Sequence, residues 1–182
     1  MHGFHGRLLH IDLSTGHTSW VDIEETRLRA FLGGIGLGVS LLYEYAPPGV
    51  DPFSPANPLI FTSAPLVGTG LTTTAKYAVV TKSPLTGFIA DSLSSSHFAL
   101  ELKRLAIDAL IITGRAAACS YIFIKNDRVE SHSAEHLRGK NPLECESLIR
   151  AELNGSSKRR LARWCLAFCL VLSISRMVFG LS

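Results

Sequence analysis

The sequence predicts an α+β domain in which a few helices accompany a mixed or largely antiparallel sheet. Two hairpins are predicted, one near each end of residues 7–132, and helical periodicity occurs in separate segments between strands. Regular alternation of strand and helix, typical of a doubly wound parallel sheet, is absent. The 182 residues suit one domain, and a 47% hydrophobic content provides a core.

The N-terminal half supplies the first hairpin and two helices. Residues 7–13 alternate apolar and polar side chains, a turn follows, and residues 18–23 read as the returning strand. The period then changes to that of a helix over residues 24–32. A second helix is predicted over residues 37–45, where Pro47-Pro48-Gly49 ends it because proline cannot continue a helix.

The second half continues with short strands and two helices. Strands are predicted at residues 59–62, 75–81 and 109–112, with extended structure at 88–90 and a helix from His97. The second hairpin pairs residues 121–125 with 128–132. A last helix, reaching about Leu153, begins with a capping residue, a proline and a glutamate, at positions Asn141, Pro142 and Glu144.

Charge is distributed unevenly along the chain. After Glu152 there is no acidic residue, and the five basic residues there, subtracted from the net charge of +3, leave −2 for residues 1–152. No cluster of lysine and arginine in this body predicts nucleic-acid binding. None of the four cysteines forms a CxxC pair, and residues 1–6 lack the features of a signal peptide. We therefore expect a cytoplasmic protein.

Two segments rich in small hydroxyl residues are candidate anion sites. One is Gly68–Lys76, with three consecutive threonines, and the other is Ser92–His97, directly before a predicted helix. Hydroxyls and free backbone N–H groups at a helix N-terminus can bind phosphate or another anionic group. The alternative is that these residues lie on the surface of strands and turns, and that one serine caps the helix.

A glycine-rich segment, residues 33–38, can be compared with a dinucleotide-binding loop. That motif follows a strand, whereas this segment follows a predicted helix, so we favour a helix C-cap and tight turn. No catalytic constellation is evident. The seven histidines are scattered without metal-ligand spacing, and no serine has a paired base.

Several strings occur in an order and spacing that resemble the N-terminal domain of the aldehyde ferredoxin oxidoreductase family. They run from residue 3 to about 153, and they include Asp12-Leu13-Ser14-Thr15-Gly16, Phe31-Leu32-Gly33-Gly34, Val79-Val80-Thr81-Lys82-Ser83-Pro84-Leu85-Thr86-Gly87-Phe88 and Asp108-Ala109-Leu110-Ile111-Ile112. The resemblance implies an α+β platform domain, residues 1–153, on which a tungsten (or molybdenum) bis-pterin cofactor sits.

The resemblance also implies a function. Enzymes of this family oxidise aldehydes to carboxylic acids and pass electrons through a [4Fe-4S] cluster to ferredoxin or another electron-transfer protein. The cluster ligands and the substrate pocket lie in parts of the family that this chain lacks, so we expect the chain alone to be inactive. The resemblance leaves open whether the chain forms a homodimer. The alternative is a non-catalytic pterin- or anion-binding or assembly module.

The resemblance assigns cofactor contacts to two places in this sequence. The family's arginine before the "Tyr, x, Val, Val" strand is Lys76 here, which keeps the charge but not the two-pronged guanidinium. The family's Asn-Ser-Gly-Gly turn before the next helix corresponds to a predicted turn at residues 93–96. We therefore expect Leu93, Ser94 and Ser95 to contact the cofactor together with Lys76.

The end of the chain departs from the family. Residues 154–182 are basic and then apolar, and three interpretations stay open: a frameshifted or truncated end, a membrane-associated helix, or a tail that packs on the domain. The apolar stretch from Trp164 to Ser175 is shorter than the roughly 20 residues needed to span a bilayer. We therefore expect no membrane insertion.

Overall fold

A computed structural model describes residues 2–125 and 127–154 of the chain. The described residues divide into two compact units, one that ends at residue 115 and one that begins at residue 116.

The first unit contains a six-stranded mixed sheet and three helices. The strand order is β2-β1-β6-β3-β4-β5, and every neighbouring pair is antiparallel except β1 with β6. The strands are β1 (Arg7–Asp12), β2 (Thr18–Asp22), β3 (Leu59–Thr62), β4 (Lys76–Lys82), β5 (Ile89–Ser95) and β6 (Ala109–Thr113). The helices are α1 (Glu25–Phe31), α2 (Gly34–Tyr45) and α3 (His97–Arg104).

Helix α2 covers one face of this sheet. Leu37 and Leu41 of the helix are fully buried in a cluster with Ile60, Val80 and further strand residues. The approach is close because Gly38 has no side chain: a Cβ atom there would lie 2.5 Å from Cγ2 of Val80. The burial of these aliphatic side chains stabilises the unit by roughly 1.5–3 kcal/mol for each residue.

Helix α3 is joined to the opposite face by aromatic packing. Phe61 follows Ile60 in β3 and therefore points to the other side of the sheet. Its ring lies 5.5 Å from that of Phe98 in α3, and the Tyr77 ring lies 4.9 Å from Phe98, both edge to face. The face covered by α2 thus has an aliphatic core, and the opposite face includes a cluster of aromatic rings.

The second unit is a hairpin followed by a helix. Its elements are β7 (Ser120–Lys125), β8 (Arg128–Ser133), a 3₁₀ turn (Glu135–Leu137) and α4 (Pro142–Asn154). The predicted helix start is confirmed, because the Glu144 N–H donates to Oδ1 of Asn141 at 2.9 Å. Its core includes Tyr121, whose hydroxyl donates to Glu152 of α4 at 2.9 Å.

The predicted α+β class with a mixed sheet is confirmed, and so are both hairpins. One local prediction is wrong: residues 93–96 do not form a turn. Residues 93–95 belong to β5, which pairs with β4 over seven positions, from Ile89 opposite Lys82 to Ser95 opposite Lys76. The asparagine and glycines of the family's turn are replaced by leucine and serines here, and the backbone ladder with β4 continues through these residues.

Helix α2 also begins earlier than the sequence indicates, at Gly34 rather than residue 37. Among residues 2–125 and 127–154, no helix combines the length and the apolar character needed to cross a membrane. Three interpretations were left open for the tail, residues 154–182. Apart from Asn154, which ends α4, the tail lies outside the described residues.

Candidate functional site

The four residues assigned to cofactor contact lie together at one end of the β4–β5 pair. Lys76 is the first residue of β4 and stands opposite Ser95, the last residue of β5. Ser94 stands opposite Tyr77, and Leu93 opposite Ala78. The hydrogen-bonded register therefore brings together the two segments that are almost 20 residues apart in sequence.

The sheet divides these four residues between its two faces. Directly opposed residues share a face, and neighbours along a strand alternate. Lys76, Leu93 and Ser95 therefore lie on one face, and Ser94 lies on the other with Tyr77. Three of the four predicted contacts form one group, and the Ser94 side chain points away from it.

This group is open to solvent. Lys76, Leu93 and Ser95 are all exposed, and so is Ser94. Two backbone hydrogen bonds fix the surrounding chain: the Lys76 N–H donates to the Thr74 carbonyl at 2.7 Å, and the Ser96 N–H donates to the Ala75 carbonyl at 3.0 Å. The result is an exposed ammonium group beside a serine hydroxyl on a fixed backbone.

The threonines before Lys76 use their hydroxyl protons locally. The Thr69 hydroxyl donates to the Leu66 carbonyl at 2.8 Å, and the Thr74 hydroxyl donates to the Leu71 carbonyl at 2.9 Å. Thr73 adopts the left-handed region, with φ of 62°. These bonds shape the loop and leave the Thr69 and Thr74 hydroxyl oxygens able only to accept hydrogen bonds. These two hydroxyls are therefore poorly suited to donate a hydrogen bond to an anion.

The serine run contains a helix cap, as one of the two interpretations predicted. The Ser96 hydroxyl accepts a hydrogen bond from the Phe98 N–H at 3.1 Å, at the start of α3. This cap satisfies one of the N–H groups that an anion would otherwise use. The α3 N-terminus therefore has fewer free donors for an anion than the serine run alone suggests.

The glycine-rich segment begins at the turn between α1 and α2, as predicted, but from Gly34 onward it forms the first turns of α2. Leu32 ends α1 in the left-handed region, and Gly33 precedes α2 with φ of 89°. A Cβ atom on Gly33 would lie 2.5 Å from the Ser63 carbonyl oxygen, so this turn requires glycine. The segment follows a helix and not a strand, which excludes the dinucleotide-loop arrangement.

A buried ion pair near this end of the sheet was missed by the sequence reasoning. Lys103 of α3 donates to Oδ1 of Asp108 at 2.5 Å, and the two side chains are only 8% and 1% exposed. Oδ2 of Asp108 accepts from the N–H groups of His5 and Gly6 at 2.7 Å each. Lys103 also donates to the Gly3 carbonyl at 2.9 Å. We call this group the N-terminal clamp.

The donor chemistry of the Lys76 group fits an anionic cofactor. An ammonium group and a hydroxyl are hydrogen-bond donors suited to phosphate oxygens, which bis-pterin cofactors carry. Among the described residues there is no cluster of three or more His, Cys, Asp or Glu side chains that could hold a metal ion. The Lys76 group therefore suits the phosphate oxygens of such a cofactor and provides no ligands for its metal.

The chain matches the family model for the aldehyde ferredoxin oxidoreductase N-terminal domain over residues 8–164. The chain belongs to this family. The resemblance noted in the sequence is thereby confirmed, and apart from Arg7, the first residue of β1, all the strands and helices lie within the matched residues.

Relatives that are named for different activities match this chain. The chain is 42% identical to the tungsten-containing aldehyde ferredoxin oxidoreductase of Pyrococcus furiosus, covering 89% of this chain and 27% of the relative. It is 32% identical to the WOR-like subunit of an aliphatic sulfonate oxidoreductase from the same organism, covering 88% of this chain and 26% of the relative.

A solved structure has the same fold. It is the active site complex BamBC of benzoyl coenzyme A reductase with 1,5-dienoyl-CoA, which matches with a TM-score of 0.80 and 36% identity over 85% of this chain and 24% of that chain. The chain therefore spans about a quarter of the length of the relatives that it matches.

Proposed function

We propose that this chain is the N-terminal part of a tungsten-dependent oxidoreductase that oxidises aldehydes to carboxylic acids, and that it supports the bis-pterin cofactor. The observation that carries the proposal is the placement of Lys76 opposite Ser95, with Leu93 on the same face, at one end of the β4–β5 pair. The identity to the tungsten-containing relatives supports the choice of metal, and molybdenum remains the alternative.

The different substrates named for the relatives support a role in holding the cofactor rather than the substrate. One relative is named for aldehydes, another for aliphatic sulfonates, and the solved complex holds a dienoyl-CoA. A domain shared by enzymes with such unlike substrates is expected to contact what they have in common. In this chain, Lys76 and Ser95 would hold an anionic group, and the Leu93 backbone would border it.

In the proposed reaction, an aldehyde and one water give a carboxylic acid, two protons and two electrons. When bound, the tungsten centre supplies the oxidation–reduction chemistry. The electrons would leave through a [4Fe-4S] cluster to ferredoxin, two molecules of which accept one electron each. The chain covers 27% of the Pyrococcus furiosus relative, and we place both the cluster and the aldehyde pocket in the remainder, so the chain alone is expected to be inactive.

The test is the cofactor content of the purified 182-residue chain from a host supplied with tungstate and molybdate. Metal by mass spectrometry and pterin by fluorescence should co-purify with the chain, and aldehyde-dependent dye reduction should be absent. A chain free of metal and pterin would overturn the platform proposal. Dye reduction that depends on aldehyde would overturn the proposed inactivity of the chain.

A further inference from the structure

Thr73, in the loop that leads into β4, has a strained backbone. Its φ of 62° lies in the left-handed region, which is unfavourable for residues that carry a Cβ atom and most of all for those branched at Cβ. Among residues 2–125 and 127–154, the other residues besides glycine with positive φ are Leu32 and Ala106, and neither is β-branched. The conformation of Thr73 is therefore the least favourable of the three.

The Thr73 side chain does not account for this conformation. The residue is exposed, so the conformation buries no apolar surface of its own. Its hydroxyl donates to the carbonyl of the preceding residue, Thr72, at 2.7 Å, which is a bond that water could replace. A strained backbone persists where the surrounding structure holds it in place. The cause therefore lies in the chain on either side of Thr73.

Hydrogen bonds across and after Thr73 hold the chain in this shape. The Thr74 hydroxyl donates to the Leu71 carbonyl at 2.9 Å, which closes the chain across Thr73. Directly afterwards, the Lys76 N–H donates to the Thr74 carbonyl at 2.7 Å, which makes a tight turn centred on Ala75. An ordinary, negative φ at Thr73 would change the direction of the chain between these donors and acceptors and separate them.

The left-handed region is also narrow for threonine. A residue with a Cβ atom has only about 20° of freedom in φ there, whereas glycine occupies positive φ broadly. The chain that leaves Thr73 therefore has a nearly fixed direction. Three residues later this direction determines where Lys76 meets Ser95 at the end of the β4–β5 ladder.

We infer that Thr73 is a positioning residue for the candidate anion site: its left-handed backbone fixes the start of β4 and so holds Lys76 beside Ser95. The inference rests on the proposed function, because it takes Lys76 and Ser95 to bind an anionic group. Thr73 acts through Lys76 and does not itself contact the anion. A segment that is already fixed need not be ordered when the anion binds, so its rigidity raises the affinity.

The first measurement tests the strain. Thr73→Gly removes both the strain and the narrow limits on φ, and Thr72→Gly is the matched control, because Thr72 is exposed in the same loop but its φ is not positive. Both substitutions make the unfolded chain more flexible to the same extent. In urea titrations, the unfolding equilibrium constant of Thr73→Gly should be at least about threefold smaller than that of Thr72→Gly, because only the former relieves strain. Equal constants would overturn the inference.

The second measurement is the affinity of the full 182-residue chain for inorganic phosphate at low ionic strength, followed through the Lys76 and Ser95 amide signals in NMR spectra. Thr73→Gly should bind phosphate at least about threefold more weakly than the wild type, and Thr72→Gly within about twofold of it. Thr73→Asn should bind like the wild type, because asparagine tolerates the left-handed region and keeps a Cβ atom. A residue needed only for stability would leave the phosphate affinity of the folded chain unchanged.

The outcomes distinguish this inference from the proposed function. The inference alone fails if Thr73→Gly binds phosphate as tightly as the wild type, if both glycine variants are equally weak, or if Thr73→Asn is as weak as Thr73→Gly. If the wild type does not bind phosphate, or if Lys76→Gln binds it as tightly, the candidate site fails and the inference fails with it. Weak binding by Thr73→Gly and Lys76→Gln, with wild-type affinity in Thr73→Asn and Thr72→Gly, supports both.

Discussion

Replacing Asp108 with alanine removes the centre of the N-terminal clamp. Asp108 is 1% exposed, and its carboxylate has three partners: the Lys103 ammonium group and the backbone N–H groups of His5 and Gly6. In the variant, Lys103 loses its counter-ion while only 8% exposed, and the two N–H groups lose their acceptor.

The expected cost follows from these three losses. Removing one partner of a buried ion pair destabilises a protein by about 3–5 kcal/mol, because the remaining charge is left unpaired in a poorly solvated place. An unsatisfied buried N–H adds roughly 1–3 kcal/mol, but residues 5 and 6 are only partly buried and can turn to water. We therefore expect a loss of about 3–5 kcal/mol, a large fraction of the about 5–15 kcal/mol typical of a domain.

The assay is urea denaturation of the full chain, followed by circular dichroism. The matched control is Arg104→Ala, in the same helix as Lys103. Arg104 pairs with Glu101, but its side chain is 60% exposed, so its loss should cost less than about 1 kcal/mol. If Asp108→Ala costs no more than Arg104→Ala, the clamp does not stabilise the chain and the reasoning is refuted.

Three further predictions follow from local geometry. Gly114→Ala should destabilise the chain by at least about 2 kcal/mol in urea titrations, because φ is 82° and a Cβ would lie 2.3 Å from Oδ1 of Asp12, whereas Gly16→Ala, with φ of 71° and open space, should cost about 1 kcal/mol. Equal costs would refute the steric argument. Ser96→Ala removes the α3 cap and should lower the free energy of unfolding by about 1 kcal/mol, while a loss below 0.3 kcal/mol would contradict the cap's role. Burial, with a smaller contribution from a neighbouring histidine, holds the pKa of His10 below its usual value, so the unfolded chain binds a proton more readily, and stability from this residue should fall as pH drops through about 6.5. An NMR titration of the His10 ring that gives an ordinary or raised pKa would refute this.

The strands and helices of the fold could be predicted because their signals are local. Alternation at residues 7–13 and the capping sequence at Asn141 depend on near neighbours, and both elements formed as expected. The strand order could not be derived in this way. The parallel pairing of β1 with β6 joins residues about 100 positions apart, and nothing local in either strand specifies it.

The members of the candidate site were chosen from the resemblance and stay a prediction, and their arrangement in space could not be read from the sequence. The resemblance selected Lys76 and residues 93–95, and the register of β4 and β5 brings them together. The resemblance suggested a turn where β5 continues, because residues 93–96 correspond to the family's Asn-Ser-Gly-Gly turn and the ladder with β4 is not visible locally. That error concealed the alternation that separates Ser94 from the other three residues.

The N-terminal clamp left no signal in the sequence. Lys103 and Asp108 are five residues apart, across the end of α3, which is not a spacing that pairs charges on a helix. Their burial depends on residues 3–6, which are brought beside them only by the folded chain. A buried charge pair that depends on contacts with residues about 100 positions earlier in the chain can be recognised only from the tertiary structure.

The central claim is that the face carrying Lys76 holds an anionic pterin cofactor. The most direct measurement is the amount of tungsten and pterin per chain in the purified wild type, in Lys76→Gln and in Lys140→Gln, an exposed lysine of the second unit. The claim predicts cofactor in the wild type and in Lys140→Gln, and at least a several-fold loss in Lys76→Gln. Equal cofactor in all three proteins, or none in the wild type, would contradict it.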